Sequence, residues 1–248
     1  TRDRPTDLER CLASLAALDP PAHEIIVVDN SPTSDSAREV CDRYPVSYAV
    51  DPVPGQARAR NRGIACSTGD VVAFTDDDCI VDPGWLSGIA RELADQRVMA
   101  VTGVVCPIEL ETPAQYRFEE HGGFRRGYRR RVIDGVRVDP STSAGLAGAG
   151  ANMAFRRRVF DEIGLFSEWL GPGTPSRAAD DNDILCRVLA AGYTIVYDPS
   201  QLVWHRHRND LQGLRQVLFD YGVSSSAFAV ARIVFERDLA ALRILGWW

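Results

Sequence analysis

The chain has 248 residues, 45% of them hydrophobic and 25% charged, with a formal net charge of -6; it can bury a sizeable core in one large domain or two small ones. The acidic balance lacks the basic footprint of a general nucleic-acid binder, so no nucleic-acid partner is expected. All 28 Lys+Arg residues are arginine, which excludes a Walker-type phosphate loop and Schiff-base chemistry together.

Six cysteines (Cys11, Cys41, Cys66, Cys79, Cys106 and Cys186) occur without a CxxC pair, so reduced thiols in a cytoplasmic setting are expected and zinc is not. No signal peptide is visible and no apolar run is long enough to span a bilayer, which predicts a soluble or peripheral chain. Both ends, TRDRP and RILGWW, read as cuts.

In chain order, TDLERCLASLAAL sets Leu8, Cys11, Leu12, Leu15 and Leu18 on one helical face, with Thr6 and Glu9 spaced as a capping box. EIIVVD reads as a buried strand, AREVCDRY as a short helix and VSYAV as a strand. GQARARNRGIACS then predicts a helix, VVAFT a strand, PGWLSGIARELAD a helix with Pro83 near its start, and VMAVTGVV a strand. This alternation predicts an α/β layer structure around a mainly parallel sheet, with ligands at the carboxyl ends of strands, where Asp29 and Asp76 to Asp78 fall. From about Cys106 to Gly150 the rhythm is lost, and long loops are expected. The arginine run Arg125 to Arg131 there reads either as a solvated surface or as a contact to phosphate or anionic lipid. GANMAFRRRVFDEIGLF predicts a strand turning into a helix, DDNDILCRVLAAG a helix closed by Gly192, and YTIVYDP a strand. The apolar C-terminal stretch AFAVARIVFERDLAALRILGWW reads as a packing helix or an interfacial one.

The chemistry concentrates in FTDDDCIVDPGWL. Three adjacent carboxylates at a strand end repel one another unless a positive charge sits there, and such a group suits a hard divalent cation. By itself a DDD is weak evidence, since aspartates also occupy turns and helix caps. Asp180 and Asp181, opening a predicted helix, serve its free amides and dipole equally well.

The ordered set TRDRP, EIIVVDNS, ARNRGI, FTDDDCIVDPGWL, GANMAF and DDNDILCRVLAAGYTIVYDPSQLVWH resembles the inverting family 2 glycosyltransferases with the nucleotide-sugar-binding GT-A fold, from residue 1 to about His205. The resemblance implies a glycosyltransferase domain over 1–208, with a nucleotide-binding half at about 1–105 and an acceptor-binding half at about 106–208, followed by a helical extension at 209–248. It implies Mn²⁺ or Mg²⁺ held by Asp78 directly, with Asp76 nearer the ribose and the metal-bound water, Asp77 in the variable middle place, and His205 as a further ligand. Thr1 and Arg2 match the close of the family's first strand, and Asp29 with Asn30 the pair that contacts base and ribose. Arg60 matches a residue near the nucleotide phosphates, although Arg58 and Arg62 lie close by. Asn152 matches the segment lining the sugar and acceptor pocket. Asp181 takes the place of the catalytic base and Asp180 that of its helix-end support.

The partners so implied are a nucleoside-diphosphate sugar donor and a glycan, lipid-linked or small-molecule acceptor, for a protein of cell-envelope polysaccharide synthesis that is cytoplasmic or peripheral at the inner face of the membrane. Three other readings stay open: a sugar-1-phosphate nucleotidyltransferase, which the absence of lysine disfavours; a non-catalytic nucleotide-sugar or carbohydrate-binding module, which the presence of both Asp78 and Asp181 disfavours; and a structural interaction protein, for which the motif order would be coincidence.

Overall fold

The computed structural model describes residues 1–121, 123, 124 and 126–246; Arg125, Trp247 and Trp248 of the sequence reading lie outside them. The first half runs α1 (Pro5–Ala16), β1 (Ile26–Asn30), α2 (Ser36–Cys41), β2 (Ser47–Asp51), α3 (Gln56–Cys66), β3 (Val71–Phe74), β4 (Cys79–Val81), α4 (Trp85–Glu92) and β5 (Val98–Pro107). The second half runs α5 (Pro113–Glu120), β6 (Arg131–Asp134), α6 (Pro140–Ala147), β7 (Met153–Arg156), α7 (Arg158–Ile163), α8 (Asp180–Ala190), β8 (Thr194–His205), α9 (Leu211–Glu236) and α10 (Leu242–Leu245).

The central sheet has the order β3-β7-β5-β8-β4, with β6 also pairing β8, and β1 and β2 form a separate parallel pair. The expected α/β class holds, while the expected mainly parallel pairing narrows to β1–β2 and β5–β8; β3–β7, β5–β7, β4–β8 and β6–β8 are antiparallel. Strand direction depends on the path of the connections, which apolar periodicity does not encode.

Alternation along the strands divides the core into two layers. Met153 and Phe155 of β7 and Ile195 of β8 join Ile184, Leu185 and Leu189 of α8 on one face. Ala154, Val196, Val101 and Val105 face Trp85 and Ile89 of α4 on the other. The edges of Phe155, Phe160 and Phe166 surround Phe74 at centroid distances of 5.3–6.3 Å, so the end of β3, just before the acidic triplet, is clamped. Each such pair contributes about 0.5–1.5 kcal/mol beyond its burial.

Two local expectations are corrected. Helix α1 starts at Pro5 with Arg4 as an N-cap that makes no side-chain cap bond, and Glu9 pairs with Arg43 at 2.6 Å, so Thr6 and Glu9 form no capping box. Proline at the first helical position supplies the start instead. The stretch 106–150, expected as long loops, contains α5, β6 and α6. Thr112 and Gln115 form a full capping box at α5, and Asp139 caps α6 through the Thr142 amide, each followed directly by proline; these are sequence-level start signals that the arginine and glycine content obscured. Gly192, by contrast, ends α8 as expected, at a φ of +81°.

Candidate active site

Asp76, Asp77 and Asp78 form the turn between β3 and β4, facing the N-terminal end of α8 and the last residue of β8. A cavity of about 990 Å³ opens between them, lined by the acidic triplet, Arg60, Gly150, Asp180, Asp181 and His205. That is the upper end of the size usual for small-ligand sites. The cavity continues along β1 and β3 and is closed on another side by Tyr221 of α9.

The three aspartates have different environments. Asp76 Oδ1 accepts from Gln56 Nε2 (3.0 Å) and Arg60 Nη2 (3.3 Å). Asp78 Oδ2 accepts from Arg4 Nη1 at 2.6 Å, while its Oδ1 stands 3.5 Å from His205 Nε2. Asp77 is buried and ion-paired with Arg4, and its Oδ2 has no hydrogen-bond partner. Burial raises the Asp76 pKa against the lowering effect of Arg60. For Asp78 burial acts in the same direction, but His205 when protonated, together with Arg4, outweighs it and holds the carboxyl below its ordinary value.

Among the described residues no group of three or more His, Cys, Asp or Glu side chains could hold a metal by itself. The donor set still fits a hard cation of the Mg²⁺ or Mn²⁺ kind, which commonly takes only one or two protein ligands and completes its shell with substrate phosphates and water. Asp78 Oδ1 and His205 Nε2, 3.5 Å apart, are the adjacent pair that could serve as such donors.

Opposite lies the aspartate pair. Asp180 is 3% exposed and accepts from Arg60 Nη1 at 2.5 Å. Burial pushes its pKa up to about 6, with Arg60 opposing and Asp181 adding. Asp181 is half-buried and faces the cavity, its Oδ2 accepting from the Gly150 amide and its Oδ1 from the Asn182 amide, both at 2.8 Å. The Gly150 approach needs glycine, because a Cβ there would lie 2.8 Å from Arg60 Nη2 and 3.1 Å from Asp181 Cβ. Helix α8 is entered through Arg177 and Ala179, both at positive φ (68° and 76°), a sparsely populated conformation for residues with a side chain.

Thr1, Arg2, Asn30, Arg60, Asp76, Asp77, Asp78, Asp180, Asp181 and His205 all line this one cavity. Two residues given ligand roles by resemblance do not. Asn152 is fully buried: its Oδ1 accepts from Trp85 Nε1 (2.8 Å), and its Nδ2 donates to Val104 O (3.0 Å) and Gln201 O (2.8 Å). It ties α4 to β5 and β8, and the neighbouring Gly150 and Ala151 line the pocket in its place. Asp29 is also fully buried, with Oδ2 accepting from Tyr48 OH at 2.8 Å and Oδ1 unpartnered; burial raises its pKa against that hydrogen bond.

Asn30 spends its amide on Val53 O and the Gly55 N–H, both at 2.8 Å, and so shapes the loop before α3. Thr1 lies in parallel register beside β1, its ammonium donating to Val28 O and its carbonyl accepting from the Asn30 N–H, both at 2.9 Å. Arg60 is 8% exposed and bridges Asp76 and Asp180, a cross-link between two walls of the site. Sequence reasoning gave no role to Arg4, Gln56 or Tyr221. Arg4 belongs to the quoted TRDRP motif; Gln56 and Tyr221 carry no local signal.

Acidic groups at a strand end and at a facing helix start, around one cavity at the edge of an α/β sheet, define the candidate site of this chain. Residues 1–164 match the family described as Glycosyl transferase family 2, and the chain belongs to that family.

The chain is 28% identical over 235 residues to the pre-mycofactocin glycosyltransferase of Mycobacterium tuberculosis, a match covering 92% of this chain and 46% of that one. It is 24% identical over 199 residues to the glycosyltransferase AglE of Haloferax volcanii, covering 77% and 60%. The chain thus spans about half the length of the curated relatives it matches. Among solved structures, the mannosyltransferase PcManGT of Pyrobaculum calidifontis in complex with GDP-Man and Mn²⁺ superposes with a TM-score of 0.67 at 20% identity, over 94% of this chain and 62% of that one. A fragment of S. aureus TarS in complex with UDP-GlcNAc gives 0.61 at 15% identity, over 92% and 63%. The shared fold is GT-A.

Proposed function

We propose that the chain transfers a sugar from a nucleoside-diphosphate sugar to an acceptor hydroxyl, with inversion, assisted by Mn²⁺ or Mg²⁺. The observation that carries this reading is the single cavity shared by the Asp78–His205 pair and the accessible carboxylate of Asp181. The Mn²⁺ and GDP-Man of the Pyrobaculum neighbour are in keeping with it.

Asp78 Oδ1 and His205 Nε2 would hold the cation, which when bound neutralises charge on the departing diphosphate. Asp181 accepts the acceptor's hydroxyl proton as that oxygen bonds to the anomeric carbon, and the bond from that carbon to phosphate oxygen breaks with its electron pair leaving on the nucleoside diphosphate. Asp180 is too buried to meet the acceptor; with Arg60 it fixes the start of α8. No nucleophile is needed, because one displacement completes transfer. In this reading residues 1–105 hold the nucleotide and 106–208 the acceptor, while the extension 209–248 adds Tyr221 to the wall.

Asp78→Ala should weaken Mn²⁺ and nucleoside-diphosphate binding together, since one carboxylate serves both. Calorimetry with a panel of nucleoside diphosphates, with and without chelator, reads the effect. Unchanged nucleotide affinity in the variant, or in the parent after chelation, contradicts the proposed site.

We also assign α9 to a peripheral membrane contact. The expectation that no apolar run is long enough to span a bilayer is corrected here: isolated charges such as Asp220 and Arg232 interrupt the run in sequence, yet α9 is by length and composition apolar enough to cross a bilayer, with 28% of its apolar window buried, and Phe219, Val230, Val234 and Phe235 are exposed. Three of the four described arginines of the 125–131 run make contacts within the protein: Arg126 donates to Gly145 O, Arg130 pairs with Glu92, and Arg131 lies 4.8 Å over the Tyr197 ring, while Arg129 is exposed. Vesicle binding should therefore persist as salt rises, being carried by apolar contact; binding that salt abolishes would return the contact to the arginines.

A further inference from the structure

Behind His205 the structure holds a buried chain of polar groups. His205 Nδ1 lies 3.1 Å from His207 Nδ1, and His207 Nε2 lies 2.9 Å from Glu119 Oε1. The His207 side chain is 1% exposed and that of Glu119 8%. Phe118 and Phe124 close around the pair, with ring centroids 4.7 Å from His207 and 4.9 Å from His205 respectively.

Hydrogen-bond polarity along this chain follows from what each atom can do. An ionised carboxylate only accepts, so His207 Nε2 carries the hydrogen that meets Glu119. A neutral imidazole has one protonated nitrogen, which leaves His207 Nδ1 as an acceptor. The proton between the two rings then belongs to His205 Nδ1, and with His205 neutral, the state in which it can meet a cation, its Nε2 is left as a bare lone pair. That lone pair stands 3.5 Å from Asp78 Oδ1, so two acceptors face each other across a gap that a cation would fill.

We propose that His207 and Glu119 are positioning residues for the cation site: they hold His205 in the Nδ1–H tautomer, so that Nε2 and Asp78 Oδ1 are presented together as ligands. This rests on the metal-dependent reading above and adds the residues that prepare the site before any metal arrives. The arrangement is one in which an outer carboxylate and ring orient an inner histidine, and loss of such partners typically weakens metal binding about 10–100-fold.

The first test needs no variant. Long-range ¹⁵N–¹H NMR of the metal-free protein distinguishes protonated from bare ring nitrogens and should find His205 with Nδ1 protonated and Nε2 bare, and His207 with Nε2 protonated. The second counts free Mn²⁺ by electron paramagnetic resonance. His207→Phe keeps a ring between Phe118 and Phe124 but offers His205 no acceptor, and should bind Mn²⁺ about 10–100-fold more weakly than the parent. Glu119→Gln, which retains an acceptor oxygen for His207, should recover most of the parent affinity. A parent that binds Mn²⁺ with His205 protonated on Nε2, or a folded His207→Phe with parent affinity, overturns the positioning role alone. A parent that binds no Mn²⁺ in the presence of any nucleoside diphosphate overturns the cation reading, and the role of the two residues with it.

Discussion

Replacing Arg60 with methionine should cost about 3–5 kcal/mol of stability at neutral pH, the penalty typical of leaving one member of a buried ion pair without its partner. Arg60 Nη1 meets Asp180 at 2.5 Å, its Nη2 meets Asp76 and Gly150 O at 3.3 Å, and its guanidinium lies 5.6 Å over the Phe166 ring. Methionine preserves much of the packing and removes the charge. The loss should depend on pH with a definite sign. The Asp180 pKa is already raised to about 6 in the folded protein, above the value of about 3.9 for an unfolded aspartate. The folded state therefore binds that proton more tightly than the unfolded state, and stability gained through Asp180 grows as pH falls through 6 towards 4. Because Arg60 lowers the Asp180 pKa, removing it raises that pKa further, and the deficit of the variant should shrink at pH 5 relative to pH 7.5. Urea unfolding at the two values measures this. Arg60→Lys should restore only part of the loss, since a single ammonium cannot fork to Asp180 and Asp76 together. A variant within 1 kcal/mol of the parent, on the scale of an exposed pair, would mean that Arg60 is not the cross-link described.

Asp181→Asn should leave the fold and donor binding nearly intact while transfer falls about 10²–10⁴-fold, the usual range for loss of a general base. The amide oxygen can still accept from one of the two amides, Gly150 N–H or Asn182 N–H, that now bond the carboxylate, whereas its NH₂ faces the other. One lost neutral hydrogen bond costs on the order of 1 kcal/mol, too little to unfold α8. The proton acceptor is lost outright. Because that interaction belongs to the transition state, the deficit falls on the chemical step and not on donor affinity.

Much of this site was legible because its parts are local. The acidic triplet after VVAFT, the pair opening DDNDILCRVL and the histidine closing LVWH each mark the end of an element, and antiparallel pairing of β4 with β8, Cys79 opposite His205, carries the histidine to the acidic turn. Burial was not legible. Asp180 and Asp181 are neighbours in sequence with the same local propensity, and only the packing of Arg60, which is 120 positions away from Asp180, separates a sealed carboxylate from an accessible one. Asn152 illustrates the same limit: next to glycines it resembles a pocket residue, but Trp85 Nε1 and two strand carbonyls claim its whole side chain. The histidine network escaped for the opposite reason. Its outer member, Glu119, sits on α5, in a stretch where arginine and glycine content outweighed the Thr112–Gln115 capping signal.

The most direct measurement is single-turnover sugar transfer to a responsive acceptor by the parent and by Asp181→Asn in the presence of Mn²⁺, with donor affinity and the anomeric configuration of the product read from the same samples. The parent should give an inverted product, and the variant equal donor affinity with transfer slowed about 10²–10⁴-fold. Transfer by Asp181→Asn at the parent rate, or a product that retains the donor's configuration, would contradict a single displacement with Asp181 as base.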